Sequence, residues 1–194
     1  MSSGKNVPDP SKPSEDELLI RECLRGSENG WSALIDKYKN LIFSIPIKLG
    51  LSRDDAAEIF QAVCLALLHD LPELKEPRAL PAWLIQLTSH KCLRWKQDQR
   101  RYVGTEIQEV TLAETSGLPE QVVEEIEREQ IVREALSEVS AECRRLVDLL
   151  FYSNPPVPYD EAARALGLAK GSIGATRMRC LEKLRRSLEK KGIR

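Results

Sequence analysis

The sequence predicts an all-α protein: two small helical domains joined by a flexible acidic linker, the C-terminal one a helix-turn-helix. Three observations carry this prediction. Apolar residues recur at helical spacing along most of the chain. No strand-like alternation interrupts residues 14–101. Charge is sharply segregated although the whole chain carries a formal net charge of −1. A length of 194 residues allows one ordinary domain or two small ones. Hydrophobic residues at 42% suffice for packed cores, and charged residues at 30% suit well-solvated helices.

Residues 1–13, rich in Ser, Pro, Gly and Asn, read as a disordered tail. Ser14 with Glu17 forms a capping-box signature that opens a helix to about Arg25, and Gly26 stops it. Trp31, Leu34, Ile35, Tyr38, Leu41, Ile42 and Ile45 make the apolar stripe of a second helix, which Pro46 should kink or end. Ser52 with Asp55 caps a third helix over Arg53–Asp70, whose Ile59, Phe60, Val63, Cys64, Leu67, Leu68 and Leu71 predict a broad buried face. After the proline-bearing loop Pro72–Pro77, a fourth helix starts near Ala79–Pro81 and runs to Arg101. It is amphipathic at first, with Trp83 expected in the core, and beyond His90 basic on nearly every side. Residues 14–101 are thus expected to form the first domain.

Residues 102–122 lack a sustained period and read as a linker. The second domain, 123–194, starts with an acidic helix over Val123–Leu136 and continues with a helix from Ser140 to Tyr152, ended by Pro155, Pro156 and Pro158. Tyr159–Leu166 is a short helix stopped by Gly167, and Ser172 is the candidate N-cap of a long final helix. Two helices joined by a short turn containing Gly have the spacing of a helix-turn-helix, whose second helix enters the major groove. On the final helix Ile173, Cys180, Leu181, Leu184 and Leu188 share one side, with Ala175, Arg179, Glu182 and Arg186 opposite. Arg177 falls on the inward side and needs a partner, for which Glu161 is the candidate.

The charge map points to a polyanion. Lys91–Arg101 holds five basic residues and one acidic, Glu106–Glu142 eleven glutamates against two arginines, and Arg164–Arg194 ten basic residues against two glutamates. A charge run is commonly just a solvated helix face. Two basic stretches, each ending a helical pattern, favour a nucleic acid gripped at two places.

Other classes fit less well. The five cysteines (Cys23, Cys64, Cys92, Cys143 and Cys180) are scattered, odd in number and without a C-x-x-C pair. That argues against a disulfide framework and structural zinc, and for thiols in the core. His69 and His90 are the only histidines, and neither has metal or triad spacing; with no glycine-rich phosphate loop either, catalysis and cofactors are not expected. No apolar run approaches the ~20 residues of a bilayer span. The opening MSSGKNVPDPSKP holds no signal-peptide core, and Ser2 after Met1 is not a myristoylation start. A cytoplasmic protein without membrane attachment is expected.

Together these segments resemble the extracytoplasmic-function sigma factors of the sigma-70 superfamily, over roughly residues 15–190. DDAAEIFQAVCLALL is similar to the family's helix that docks on the polymerase clamp, with Asp55, Glu58 and Gln61 at its polar positions. LPAWLIQLTSHKCLRWKQDQRR is similar to the helix that recognises the minus-ten element, and Glu73–Leu80 corresponds to the pocket for a flipped base. YDEAARALGLAKGSIGATRMRCLEKLRR is similar to the minus-thirty-five-binding pattern.

The resemblance implies a factor that binds RNA polymerase core at clamp and flap and directs promoter recognition and melting. It implies minus-ten contacts by Lys75, Arg78, His90, Lys91, Arg94, Trp95, Arg100 and Arg101. It implies minus-thirty-five contacts by Lys170, Ser172, Ala175, Thr176, Arg179, Lys183 and Arg186. An anti-sigma factor is a further expected partner, with the chain monomeric when free or 1:1 with that inhibitor. The alternative from the residues alone is a stand-alone helix-turn-helix regulator whose first domain senses a ligand or dimerises.

Overall fold

The computed structural model describes residues 13–102, 118–155, 157–169 and 171–193. All regular elements among them are helical. The chain divides into two compact bodies, one running through Arg128 and the other starting at Glu129. The expected tail at 1–13, apart from Pro13, and most of the expected linker at 102–122 lie outside the described residues.

In the first body, α1 (Glu15–Leu24) starts from the predicted capping box. Ser14 Oγ accepts from the Glu17 amide at 3.2 Å, and the Glu17 carboxylate accepts from the Ser14 amide at 2.9 Å. Two otherwise orphaned donors are satisfied together, an arrangement that stabilises a helix start by about 1 kcal/mol. In α2 (Glu28–Lys48), Leu34, Tyr38, Leu41, Ile42 and Ile45 are fully buried. Where α1 and α2 cross, a Cβ on Gly30 would stand 2.7 Å from Glu22 Cβ, so only glycine allows this approach.

Pro46 does not end α2, which runs two residues further. The helix closes on Gly50 in the left-handed region (φ 77°), with the Gly50 amide bonded to Ile47 O and the Leu51 amide to Pro46 O. This terminal motif satisfies the last carbonyls, so the proline costs a single bond near the end of the helix. α3 (Arg53–Asp70) and α4 (Leu80–Tyr102) match their expected spans, with short 3-10 turns at Leu71–Glu73 and Pro77–Ala79 between them.

One core joins these helices: Leu34, Tyr38 and Ile42 of α2, Ile59, Val63 and Leu67 of α3, Leu80, Leu84 and Cys92 of α4. Full burial of each large side chain contributes roughly 1.5–3 kcal/mol. The buried Tyr38 keeps its hydroxyl satisfied by donating to Asp16 at 2.8 Å. Lys37 bridges Asp16 and Glu15, both at 2.8 Å, and so ties α1 to α2.

α5 (Glu120–Glu138) starts three residues before the expected acidic helix. Its beginning belongs to the first body: Ile126 is fully buried, Leu118, Val122 and Val123 pack on that core, and Glu125 pairs with Lys48 at 2.9 Å. Charge composition alone hid this face, because the apolar residues are interleaved with glutamates.

In the second body, α6 (Ala141–Val147) continues into a wider π-type turn over Asp148–Tyr152. Then come α7 (Tyr159–Ala165) and α8 (Ile173–Lys190). One apolar cluster consists of Leu146, Ala162, Ala163 and Ile173, another of Val139, Cys143 and Cys180. The expectation of unbonded thiols fails here: Cys143 on α6 and Cys180 on α8 form a disulfide, with Cα atoms 5.3 Å apart. A separation of 37 residues gives no local spacing signal, and only the packing of α6 on α8 brings the two side chains within bonding geometry. Cys23, Cys64 and Cys92 remain free thiols.

Candidate nucleic-acid interface

The basic end of α4 separates into structural and exposed side chains. Cys92 is fully buried, and Trp95 and Leu93 are half-buried. Trp95 packs on the core, as does Trp83. Lys96 Nζ donates to Leu49 O at 2.6 Å. The core therefore reaches a full turn beyond His90, further than the apolar pattern indicates, because a tryptophan body and a lysine stem cover apolar surface while their polar tips remain satisfied. His90, Arg94 and Arg100 are exposed, and Lys91 is half-buried. Arg101 lies in the last turn, and its side chain is outside the described atoms. On the neighbouring loop Lys75 and Arg78 are exposed, the Arg78 guanidinium standing 3.7 Å from Glu17. Burial pushes the Cys92 thiol up to about 12, against the smaller opposing pull of Lys96.

A different surface lies on α3. Asp55 is committed to the helix start, accepting from the Ser52 amide at 3.2 Å and the Ser52 hydroxyl at 2.6 Å. Glu58 and Gln61 are exposed. Leu68, expected in the core, is 58% exposed, and Leu65 is 70% exposed. Of the expected face the core takes Ile59, Val63, Leu67 and Leu71 fully, and Leu68 sits 100° round the helix from Leu67. Glu58, Gln61, Leu65 and Leu68, at steps of three and four, make one polar-to-apolar stripe open to solvent. Sequence reading missed Leu65. The signal was available as an apolar residue out of phase with the buried set.

On α8 the expected surface is narrower than the list of candidates. Ser172 occupies the N-cap position with a helical backbone, and its hydroxyl donates to Ala169 O at 2.7 Å instead of capping. Thr176 is 6% exposed; its hydroxyl donates to Ser172 O at 3.1 Å and accepts from Arg179 Nη2 at 3.2 Å. Thr176 is therefore a packing and positioning residue and is removed from the DNA-facing set. Arg177 donates to the Tyr159 hydroxyl, so its partner is Tyr159 and not Glu161.

Ala175, Arg179, Lys183 and Arg186 remain exposed, and Arg186 pairs with Glu182 at 3.0 Å. Lys170 lies outside the described residues. The turn before α8 is set by Gly167 at φ 66°, where the Gly167 amide bonds Arg164 O and the Leu168 amide bonds Ala163 O. An L side chain there would be strained.

Among the described residues no helix is long and apolar enough to cross a membrane. Nor do any three of His, Cys, Asp and Glu cluster to hold a metal.

Residues 34–102 match the family model described as Sigma-70 region 2. The matched span covers most of α2 and all of α3 and α4, the helices that carry both the α3 stripe and the basic end of α4. A comparison with curated proteins returned no match. Among solved structures, the chain is similar to the sigma factor RpoE in complex with the anti-sigma factor NepR from Bartonella quintana. That likeness has 21% identity and a TM-score of 0.34, and covers 81% of this chain and 95% of that chain. What the comparisons show is the region 2 match: residues 34–102, from α2 to the end of α4, are similar to Sigma-70 region 2.

Proposed function

We propose that this chain is a sigma factor of transcription initiation, of the extracytoplasmic-function class, and divides promoter recognition between its two bodies. α3 docks on the RNA polymerase core clamp through Glu58, Gln61, Leu65 and Leu68, burying two leucines that the free chain leaves in water. The basic edge of α4, with His90, Lys91, Arg94, Arg100 and Arg101, meets the minus-ten element, supported by Lys75 and Arg78 of the preceding loop. Trp95 acts there as a half-buried shelf.

In the second body α8 meets the minus-thirty-five element. Arg179 has the geometry to fork onto a guanine edge, while Lys170, Lys183 and Arg186 reach phosphates beside Ala175 and the α8 start at Ser172. Strand opening costs a few kcal/mol per unstacked step, offset when a flipped base is captured in the pocket formed by the Glu73–Leu80 loop. The cytoplasm as site of action, the polymerase flap as a second contact and an anti-sigma factor binding 1:1 complete this reading.

The observation that carries the proposal is the coincidence of the region 2 match with helices that leave a docking stripe and a basic edge uncovered. Reconstitution with core polymerase tests it. The Arg94→Glu/Arg100→Glu variant should retain core binding and lose specific initiation. Normal initiation by that variant would refute the assignment of α4.

A further inference from the structure

Promoter recognition as described makes no use of the Cys143–Cys180 disulfide. The bond ties α6 to α8 across 37 residues of sequence and is buried, Cys143 being 4% and Cys180 3% exposed. In its cluster only Val139 is also buried, with Leu184 packed alongside. The other apolar cluster of this body has four buried residues, with five partly buried ones packed on it. A body with so little apolar burial depends strongly on a cross-link. Cys180 also adjoins Arg179 and stands three residues before Lys183, two of the side chains proposed to face DNA.

We propose that the Cys143–Cys180 bond is a reversible redox latch on α8. Oxidised, it fixes the helix for the minus-thirty-five element; reduced, it releases the α6–α8 seam and weakens DNA binding. The inference rests on the reading of α8 as the minus-thirty-five helix.

A protein dithiol supplies the two electrons for opening. Its thiolate attacks one sulfur, the Cys143–Cys180 bond breaks, and the displaced cysteine sulfur takes a proton. The second thiol of the reductant then attacks the mixed disulfide, which frees the other cysteine as a thiol and leaves the reductant as a disulfide. Hydrogen peroxide closes the latch: one cysteine sulfur gains oxygen to become a sulfenic acid as one water leaves, and the second displaces a further water as the bond forms. A cleft of about 320 Å³ lies beside Val139, which packs with both cysteines, and is lined by Ser140, Lys183, Arg186 and Ser187.

The remaining thiols do not compete. Cys23 and Cys92 are buried and Cys64 half-buried, and burial raises the pKa of all three, so the unreactive thiol form predominates at neutral pH. Of the five cysteines, Cys143 and Cys180 are the two bonded to each other.

The test uses the full chain, oxidised with hydrogen peroxide and reduced with dithiothreitol, followed by mass spectrometry of alkylated thiols. Oxidised protein should show three free thiols and reduced protein five. Reduction should lower the Tm of the second body by about 10 °C or more, and reoxidation should restore it. Holoenzyme carrying the reduced chain should bind duplexes selected from a random-sequence pool about tenfold more weakly, since the helix is no longer pre-organised. The Cys143→Ser/Cys180→Ser variant should behave as the reduced protein under both conditions.

Five thiols after peroxide, an unchanged Tm, or equal DNA affinity of the two holoenzymes would each overturn the latch. Failure of the reading beneath it looks different: substitution of Arg179 would leave promoter affinity unchanged in both redox states, while the Tm difference persists.

Discussion

Lys96 on α4 donates a 2.6 Å hydrogen bond to the carbonyl oxygen of Leu49, the C-cap of α2. A cation at a helix C-terminus satisfies an orphan carbonyl and meets the negative end of the helix dipole. This single contact divides the basic residues of α4 into those that hold the fold and those left for a ligand.

Lys96→Ala should therefore destabilise the first body by about 1.5–3 kcal/mol, the range for a hydrogen bond to a charged group. Arg94→Ala and Arg100→Ala, exposed on the same helix, should change stability by no more than about 0.5 kcal/mol. Their effect should appear in promoter binding, each lowering the slope of log affinity against log salt by about 1. Denaturant melts and salt titrations of the holoenzyme check both halves.

Thr176 and Arg179 form a second such pair, one buried and one exposed on α8. Thr176→Val should cost about 1 kcal/mol in stability by removing the hydroxyl bonds to Ser172 O, which keeps the Thr176 amide, and from the Arg179 guanidinium. Arg179→Ala should reduce promoter affinity by about 1–3 kcal/mol and relax base preference at one position. Selection of bound sequences by both variants separates a positioning role from a reading role.

Helix identities and most boundaries in the first body were legible in the sequence, because capping boxes at Ser14 and Ser52 and strong apolar stripes agree with one another. Pro46, expected to kink or end α2, does not end it, because the helix-ending motif at Gly50 lies beyond it and absorbs the loss. The packing of Trp95 and Lys96, the start of α5 on the first core and the Cys143–Cys180 bond depend on residues distant in sequence, which periodicity does not carry. The α8 candidates followed the family resemblance, which includes Thr176 by its place in the motif, whereas helical phase sets it about 60° from the buried Ile173.

The α3 stripe yields a prediction independent of DNA. Leu65→Gln/Leu68→Gln keeps helix-forming side chains and removes only exposed apolar surface, so the melting temperature should hardly move. Core polymerase affinity should fall at least about tenfold, given roughly 1.5–3 kcal/mol for each leucine buried in a contact. Equilibrium binding of labelled chain to core polymerase measures it.

The second body should show a pH dependence set by Glu138 and Lys191, which pair at 3.0 Å. Partial burial alone would raise the Glu138 pKa, but the hydrogen bonds from Ser187 and Lys191 and the nearby lysine charges outweigh it and hold it below the ordinary 4.5. Burial likewise would lower Lys191, yet Glu138 and Glu134 leave it above the ordinary 10.5. The Glu138 contribution is present above pH 4.5 and is lost as pH falls through its depressed folded value. That of Lys191 is complete below pH 10.5 and is lost as pH rises through its raised folded value. Thermal melts of Glu138→Gln should show a smaller acid-side fall in Tm than the parent, with the alkaline limb reduced as well.

Single-round transcription with core polymerase, the full chain and a pool of randomised duplexes, read by sequencing the transcript starts, tests the central claim most directly. Starts should lie downstream of two separated sequence elements, and the signal should vanish with either Arg94→Glu/Arg100→Glu or Arg179→Glu. A chain that leaves core polymerase without specific starts, and instead binds a palindromic duplex as a homodimer, would contradict the account.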